Sequence, residues 1–200
     1  PGRSNIAEAG AFLCSSQARP VRPDIQMHFI PAQLEDHGRR RLPGHGFTVH
    51  ACFLRPQSRG SIRLRSADGR NPPLIRANYL HEPVDLQVTV EAVRASRALV
   101  AASAFDAVRG QEVFPGREVQ SHRDLEAFIR ARAETIYHPI GTCRMGRDTY
   151  AVVNSELCVH GIEGLRVVDA SIMPALVSGN TNAPVIMIAE KAADLILKRR

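Results

Sequence analysis

Apolar and polar positions alternate through the first third of the chain. In "DIQMHFIP", residues 24–31, Ile25, Met27 and Phe29 alternate with Gln26 and His28. In "GFTVHACFL", residues 46–54, Phe47, Val49, Ala51 and Phe53 alternate with Thr48, His50 and Cys52. In "GSIRLRS", residues 60–66, Ile62 and Leu64 oppose Arg63 and Arg65. A period of two with one polar face predicts an antiparallel sheet wetted on one side. Proline and glycine punctuate it: "RPQSRG" joins two strands and "ADGRNPP" ends the third.

The period then lengthens. "EPVDLQVTVEAVRASRALVAASAF" starts near Pro83 and repeats Leu86, Val90, Val93 and Val100 at helical spacing. "SHRDLEAFIRARAETI" predicts a second helix, with Ser121 as N-cap and Asp124 three residues on, in the manner of a capping box. Its apolar stripe is Leu125, Phe128, Ile129, Ala133 and Ile136. Further on, the run Leu165–Val168 ending in Asp169 suits a strand buried on both faces, as in a parallel sheet. "NAPVIMIAEKAADLILKRR" predicts a terminal helix with Pro184 in its first turn. Val185, Ile188, Ala189, Ala192, Leu195 and Ile196 line one side, and Lys198, Arg199 and Arg200 complement the dipole at its end. The tail therefore reads as strand, loop and helix from an α/β layer, appended to an antiparallel sheet.

Composition narrows the class. Two hundred residues at 44% hydrophobic and 23% charged make a globular chain of one domain or a domain and a half. No apolar run reaches the length of a membrane span, and no secretory signal opens the chain. The net charge of +6 is spread over scattered arginines. The densest cluster, Arg39–Arg41, sits in a Gly/Pro-flanked loop without a nucleic-acid module, so a solvated surface is expected rather than a nucleic-acid partner. Cys14, Cys52, Cys143 and Cys158 form no C-x-x-C pair, which favours reduced thiols and a cytoplasmic location.

One segment fits neither helix nor strand: "IYHPIGTCRMG", residues 136–146. Pro139 pushes His138 toward extended backbone, and Gly141 and Gly146 permit an unusual path. Three readings of His138 are open at this point: a metal ligand, a catalytic base, or a buried histidine without chemistry. For metal, His138, Cys143, Cys158 and His160 supply the right atoms, but their spacing matches no common zinc pattern, so no metal is expected. A second polar loop, "VSGNTNAP" at 177–184, carries Asn180 and Asn182 just before a helix. Two irregular polar loops abutting well-formed elements point to a site on a scaffold.

"YHPIGTCRMG" followed by "GLRVVDASIMPALVSGNTNAPVIMIAEKAADLI" resembles the carboxyl-terminal part of the glucose–methanol–choline (GMC) oxidoreductases, most closely their choline dehydrogenase-like members. "SNIAEAGAFL", "PDIQMHFIPA" and "LRPQSRGSIRL" resemble substrate-domain segments of that family. The resemblance implies an α+β chain: an antiparallel substrate-domain sheet with flanking helices, plus a final strand and helix belonging to an FAD-binding α/β layer. It divides the chain into a substrate-binding part, residues 1–135, and active-site loops with the end of the cofactor domain, residues 136–200. It implies oxidation of a primary, choline-like alcohol by hydride transfer to FAD. His138 takes the role of base, and Asn180 the family's second active-site position, where an amide orients the substrate oxygen. Asp169 and Ala170, of "DAS", match the segment along the cofactor's phosphate and ribose. Asn182 and Pro184 open the helix whose positive end faces the flavin; simple helix capping is an alternative for Asn182.

The family's G-x-G-x-x-G fingerprint is absent: "GHGFTV" carries Gly44 and Gly46 but Val49 at the third position. The first residue is proline. Both observations suggest a piece of a longer protein, whose missing amino-terminal FAD-binding part would be its partner. Alone, the chain is expected to bind FAD weakly or not at all, to be inactive, and to be open to self-association through exposed apolar surface. A stand-alone binding or interaction module with a vestigial site is the alternative reading.

Overall fold

The computed structural model describes residues 5–198 apart from Pro20 and Arg41, with the backbone alone at His37. Arg41 of the arginine cluster, and Arg199 and Arg200 of the tail, lie outside the described residues. The chain forms two compact units. One comprises 1–58 and 79–136, the other 59–78 and 137–200. Helices and antiparallel sheets are both present, an α+β composition.

In the first unit, β1 (Ala9–Leu13), β2 (Ile25–Ile30) and β3 (Thr48–Phe53) form an antiparallel sheet in that order. Met27 stands opposite Ala11 and Ala51, and Ile25 opposite Leu13 and Phe53. These residues share a face, as the period-two pattern requires. Helix α1 (Pro83–Val100) covers it, burying Ile25 and Met27 against Val88 and Ala92. The opposite face is drier than the pattern predicts, for Gln26 is only 7% exposed. Leu86 and Val90, on another side of α1, pack against Leu125 and Ile129 of α2 (His122–Arg132). Val88 and Ala92, four residues apart, thus form a second apolar stripe beside the predicted one.

Ser121 caps α2: its Oγ accepts the Asp124 N–H at 3.1 Å. The helix ends at Arg132, and Ala133 is already extended, so Ala133 and Ile136 leave the stripe assigned to them. Arg130 and Arg132 fill the last turn, where cations suit the dipole. Two buried carboxylates brace the unit. Asp24 accepts from the amide and hydroxyl of Ser15, and Asp85 from the Gln57 and Ser58 amides.

In the second unit, β4 (Ser61–Arg63) pairs with β5 (Leu74–Arg76) as a separate two-stranded sheet. "GSIRLRS" therefore does not extend the first sheet, and neither of its rows is buried: Ile62 is 52% and Leu64 82% exposed. The core of this unit is Val153, Leu157, Ile172 and Met173 against Ile188 and Ala192 of α3 (Asn182–Leu197). The strand expected at Leu165–Val168 does not form. Arg166 makes one isolated antiparallel bridge to Cys158, Leu165 is 47% exposed, and Val167 and Val168 pack sideways on the core. A strand buried in a parallel sheet needs neighbours along both edges, and the described residues supply one bridge. On α3, Val185 and Leu195 join the core, whereas Ala189 and Ile196 of the predicted stripe face outward with Ile186, Met187 and Leu197.

Candidate active site

The second unit holds both irregular loops. Tyr137 adopts φ 66°, a left-handed backbone rare for a bulky residue, and so turns the chain sharply into His138. Gly141 follows with φ 86°, a value only glycine takes without strain. Gly146 serves differently. It has no positive φ, but an added Cβ would lie 3.1 Å from both Ala151 Cβ and Arg144 Nη1, so close approach explains the residue. Between these points the segment is tied down by the main chain. Cys143 N–H donates to Ser171 O at 3.0 Å and Met145 N–H to Ile172 O at 2.8 Å. The histidine loop is thereby stitched to "DASIM", whose Ile172 and Met173 lie in the core.

The second loop delivers its residues from the start of α3. Ser178 carries φ 65°, and the helix closes its first turn when Val185 N–H reaches Thr181 O at 3.0 Å. Thr181 therefore occupies the N-cap position and Asn182 is the first helical residue, so the capping alternative for Asn182 does not hold. Thr181 makes no side-chain cap bond.

The two loops meet at the imidazole. Asn180 Nδ2 lies 2.8 Å from His138 Nε2, and Thr181 Oγ1 lies 2.8 Å from His138 Nδ1. Both ring nitrogens are thus engaged by adjacent residues lying 42 and 43 positions along the chain. His138 is half-buried, and Thr181 is buried at 7% exposure. An imidazole held at both ends cannot rotate freely. A neutral imidazole has one nitrogen able to take a proton, and a side-chain amide can hold an oxygen in place.

The remaining predicted residues sit around this core. Asp169 accepts the Ser171 N–H at 2.7 Å and so caps the short 3-10 turn Ala170–Ile172. Asn182 is exposed, and Pro184, third in α3, is half-buried. Of the residues considered as metal ligands, His160 Nε2 meets Gly146 O at 3.2 Å and the Cys158 thiol meets Glu156 O at 3.8 Å. All four cysteines are free. The sequence reading missed Thr181. Its signal was slight: a hydroxyl between Asn180 and Asn182, just ahead of a proline.

Comparison with known proteins identifies the family. The GMC oxidoreductase family model matches residues 56–189. An alcohol dehydrogenase [acceptor] of Pseudomonas putida is 50% identical over 196 residues, covering 98% of this chain and 35% of that protein. An oxygen-dependent choline dehydrogenase of Paraburkholderia phymatum is 48% identical over 198 residues, covering 99% of this chain and 34% of that protein. Among solved structures, pyridoxine 4-oxidase from Mesorbium loti superposes with TM-score 0.86 at 30% identity, over 94% of this chain and 37% of its own. Formate oxidase of Aspergillus oryzae, a structure describing FAD modification, superposes with TM-score 0.84 at 28% identity, over 90% of this chain and 32% of its own.

The chain belongs to the GMC oxidoreductases, a family of FAD flavoproteins. It spans about a third of the length of the curated relatives it matches. Among the described residues, no helix is long and apolar enough to cross a membrane.

Proposed function

We propose that this chain is the catalytic carboxyl-terminal part of an FAD-dependent alcohol dehydrogenase or oxidase that converts a primary, choline-like alcohol to its aldehyde. The observation that carries this reading is the 2.8 Å contact between Asn180 Nδ2 and His138 Nε2. A proton acceptor and an oxygen-holding amide stand side by side, as alcohol oxidation needs.

The substrate hydroxyl takes Asn180's place on Nε2. Its O–H proton passes to the imidazole, and its oxygen accepts from the Asn180 amide. The developing alkoxide is thereby formed and oriented at once. Bound FAD would supply the hydride acceptor that oxidation of the carbinol carbon to a carbonyl requires. The start of α3 fits an electron-rich cofactor edge: the N-cap residue Thr181 makes no side-chain cap bond, and Asn182 and Ala183 are exposed. Their amides and the positive helix end suit negative charge there. Asp169 and Ala170 are assigned to the cofactor's phosphate and ribose side. The outward apolar face of α3, with Ile186 at 55% and Met187 at 59% exposure, suits cover by an amino-terminal FAD-binding part.

The test is His138→Ala in the full-length protein, followed by rapid-mixing measurement of flavin reduction by alcohol. The rate is expected to fall by roughly two to four orders of magnitude. A variant as fast as the parent overturns the assignment.

A further inference from the structure

An imidazole that serves as a base must present a lone pair, and only one of its two nitrogens carries one in the neutral ring. The neighbours decide which. Asn180 approaches Nε2 with its amide nitrogen, which can only donate, so Nε2 is the acceptor. The ring proton then lies on Nδ1, where it meets the Thr181 hydroxyl oxygen at 2.8 Å.

We propose that Thr181 is a positioning residue for His138: its hydroxyl accepts the Nδ1–H bond, locks the tautomer that leaves Nε2 free to take a proton, and supports the imidazolium that results. The proposal rests on the reading of His138 as the base and names the group that keeps it one.

The hydroxyl is available because of how α3 begins. A threonine at an N-cap normally turns its oxygen onto the amide of the second or third helical residue. Here the third residue is Pro184, which has no amide hydrogen. The Thr181 backbone, at φ −91° and ψ −5°, also lies outside the extended geometry usual for a cap. Its carbonyl is occupied by Val185 N–H, so its backbone is fixed while its side chain points elsewhere. At 7% exposure, water does not readily replace it. Without this hydroxyl, Nδ1–H would be left without its acceptor, and the ring would gain by moving the proton to Nε2 and turning it toward the Asn180 oxygen. That tautomer cannot take a proton from a substrate at Nε2. After proton uptake both nitrogens carry hydrogen, and the Thr181 oxygen still accepts from Nδ1.

The experiment compares Thr181→Val, which keeps the shape and deletes the hydroxyl, with Thr181→Ser, which keeps the hydroxyl, both in the full-length holoenzyme. Nitrogen-15 NMR of labelled histidine reads which ring nitrogen of His138 is protonated, independently of turnover. The parent and Thr181→Ser are expected to hold the proton on Nδ1, and Thr181→Val to shift it toward Nε2. Flavin reduction in Thr181→Val is expected to slow roughly 10- to 100-fold, the range that loss of a hydrogen-bond partner orienting a metal-bound histidine produces. KM is expected to change less than about twofold, with Thr181→Ser restoring the rate, because Thr181 acts through the ring and not on substrate. Thr181→Val that keeps the Nδ1–H spectrum overturns the proposal, as does a loss that serine fails to restore. If His138→Ala proves as fast as the parent, the base assignment fails, while the NMR comparison still decides whether Thr181 sets the tautomer.

Discussion

Replacing Asp85 by alanine isolates what braces the first unit. The carboxylate sits in the first turn of α1 at 2% exposure. It accepts the Gln57 N–H at 2.7 Å and the Ser58 N–H at 2.8 Å. Residues 57 and 58 follow β3, so these two bonds join the end of the sheet to the start of the helix that covers it. Hydrogen bonds to a charged acceptor contribute roughly 1.5–3 kcal/mol each, so losing both is expected to destabilise by about 3–6 kcal/mol. That is a large share of the 5–15 kcal/mol on which a domain typically stands. Asp85→Asn retains one acceptor oxygen and is expected to lose roughly half as much. Equilibrium denaturation followed by far-ultraviolet circular dichroism measures the change. Hydrogen exchange at the Gln57 and Ser58 amides localises it. A loss below about 1 kcal/mol in Asp85→Ala, with both amides still protected, would refute the assignment.

Two further outcomes are expected. Leu125→Ala removes a side chain only 1% exposed between α2 and α1, and is expected to destabilise by about 2–5 kcal/mol in the same assay. The Arg144 guanidinium bonded to Asp148 holds its carboxyl down to about 2, below the usual 3.8. A depressed carboxyl pKa stabilises the fold above the unfolded value and loses that contribution as pH falls through the folded one. Asp148→Asn is therefore expected to flatten the stability profile between about pH 4 and pH 2 and to leave its shape near neutrality unchanged.

The parts of the fold written in periodicity were legible. Ile25 and Met27 face the core as their alternation requires, and Ser121 caps α2 as its spacing from Asp124 suggests. What the pattern could not give was the partner of each strand. Ile62 and Leu64 alternate with arginines as the residues of β2 and β3 alternate with theirs. Yet β4 pairs with the three-residue β5 beyond a proline-rich turn, too short to carry a period. Val167 and Val168 are partly buried against the core that Val153, Leu157, Ile172 and Ile188 help form, and a short apolar run reads the same whether it is a strand or a buried loop. At the site, His138 and Asn180 were reached through family resemblance, and the structure brings them into contact. Thr181 was not reached. Its hydroxyl bonds a ring 43 residues away, and only the folded loop reveals that the usual capping role has been given up.

Central to the account is that His138 and Asn180 act on one substrate oxygen. A double-mutant cycle on flavin reduction in the full-length protein tests this most directly. Asn180→Ala alone is expected to slow the step roughly tenfold, the worth of one hydrogen bond to a developing charge. Added to His138→Ala it is expected to slow the step by less than about threefold more, because an alkoxide that no longer forms leaves the amide little to hold. Fully multiplicative effects would contradict the account and assign the two side chains to separate tasks.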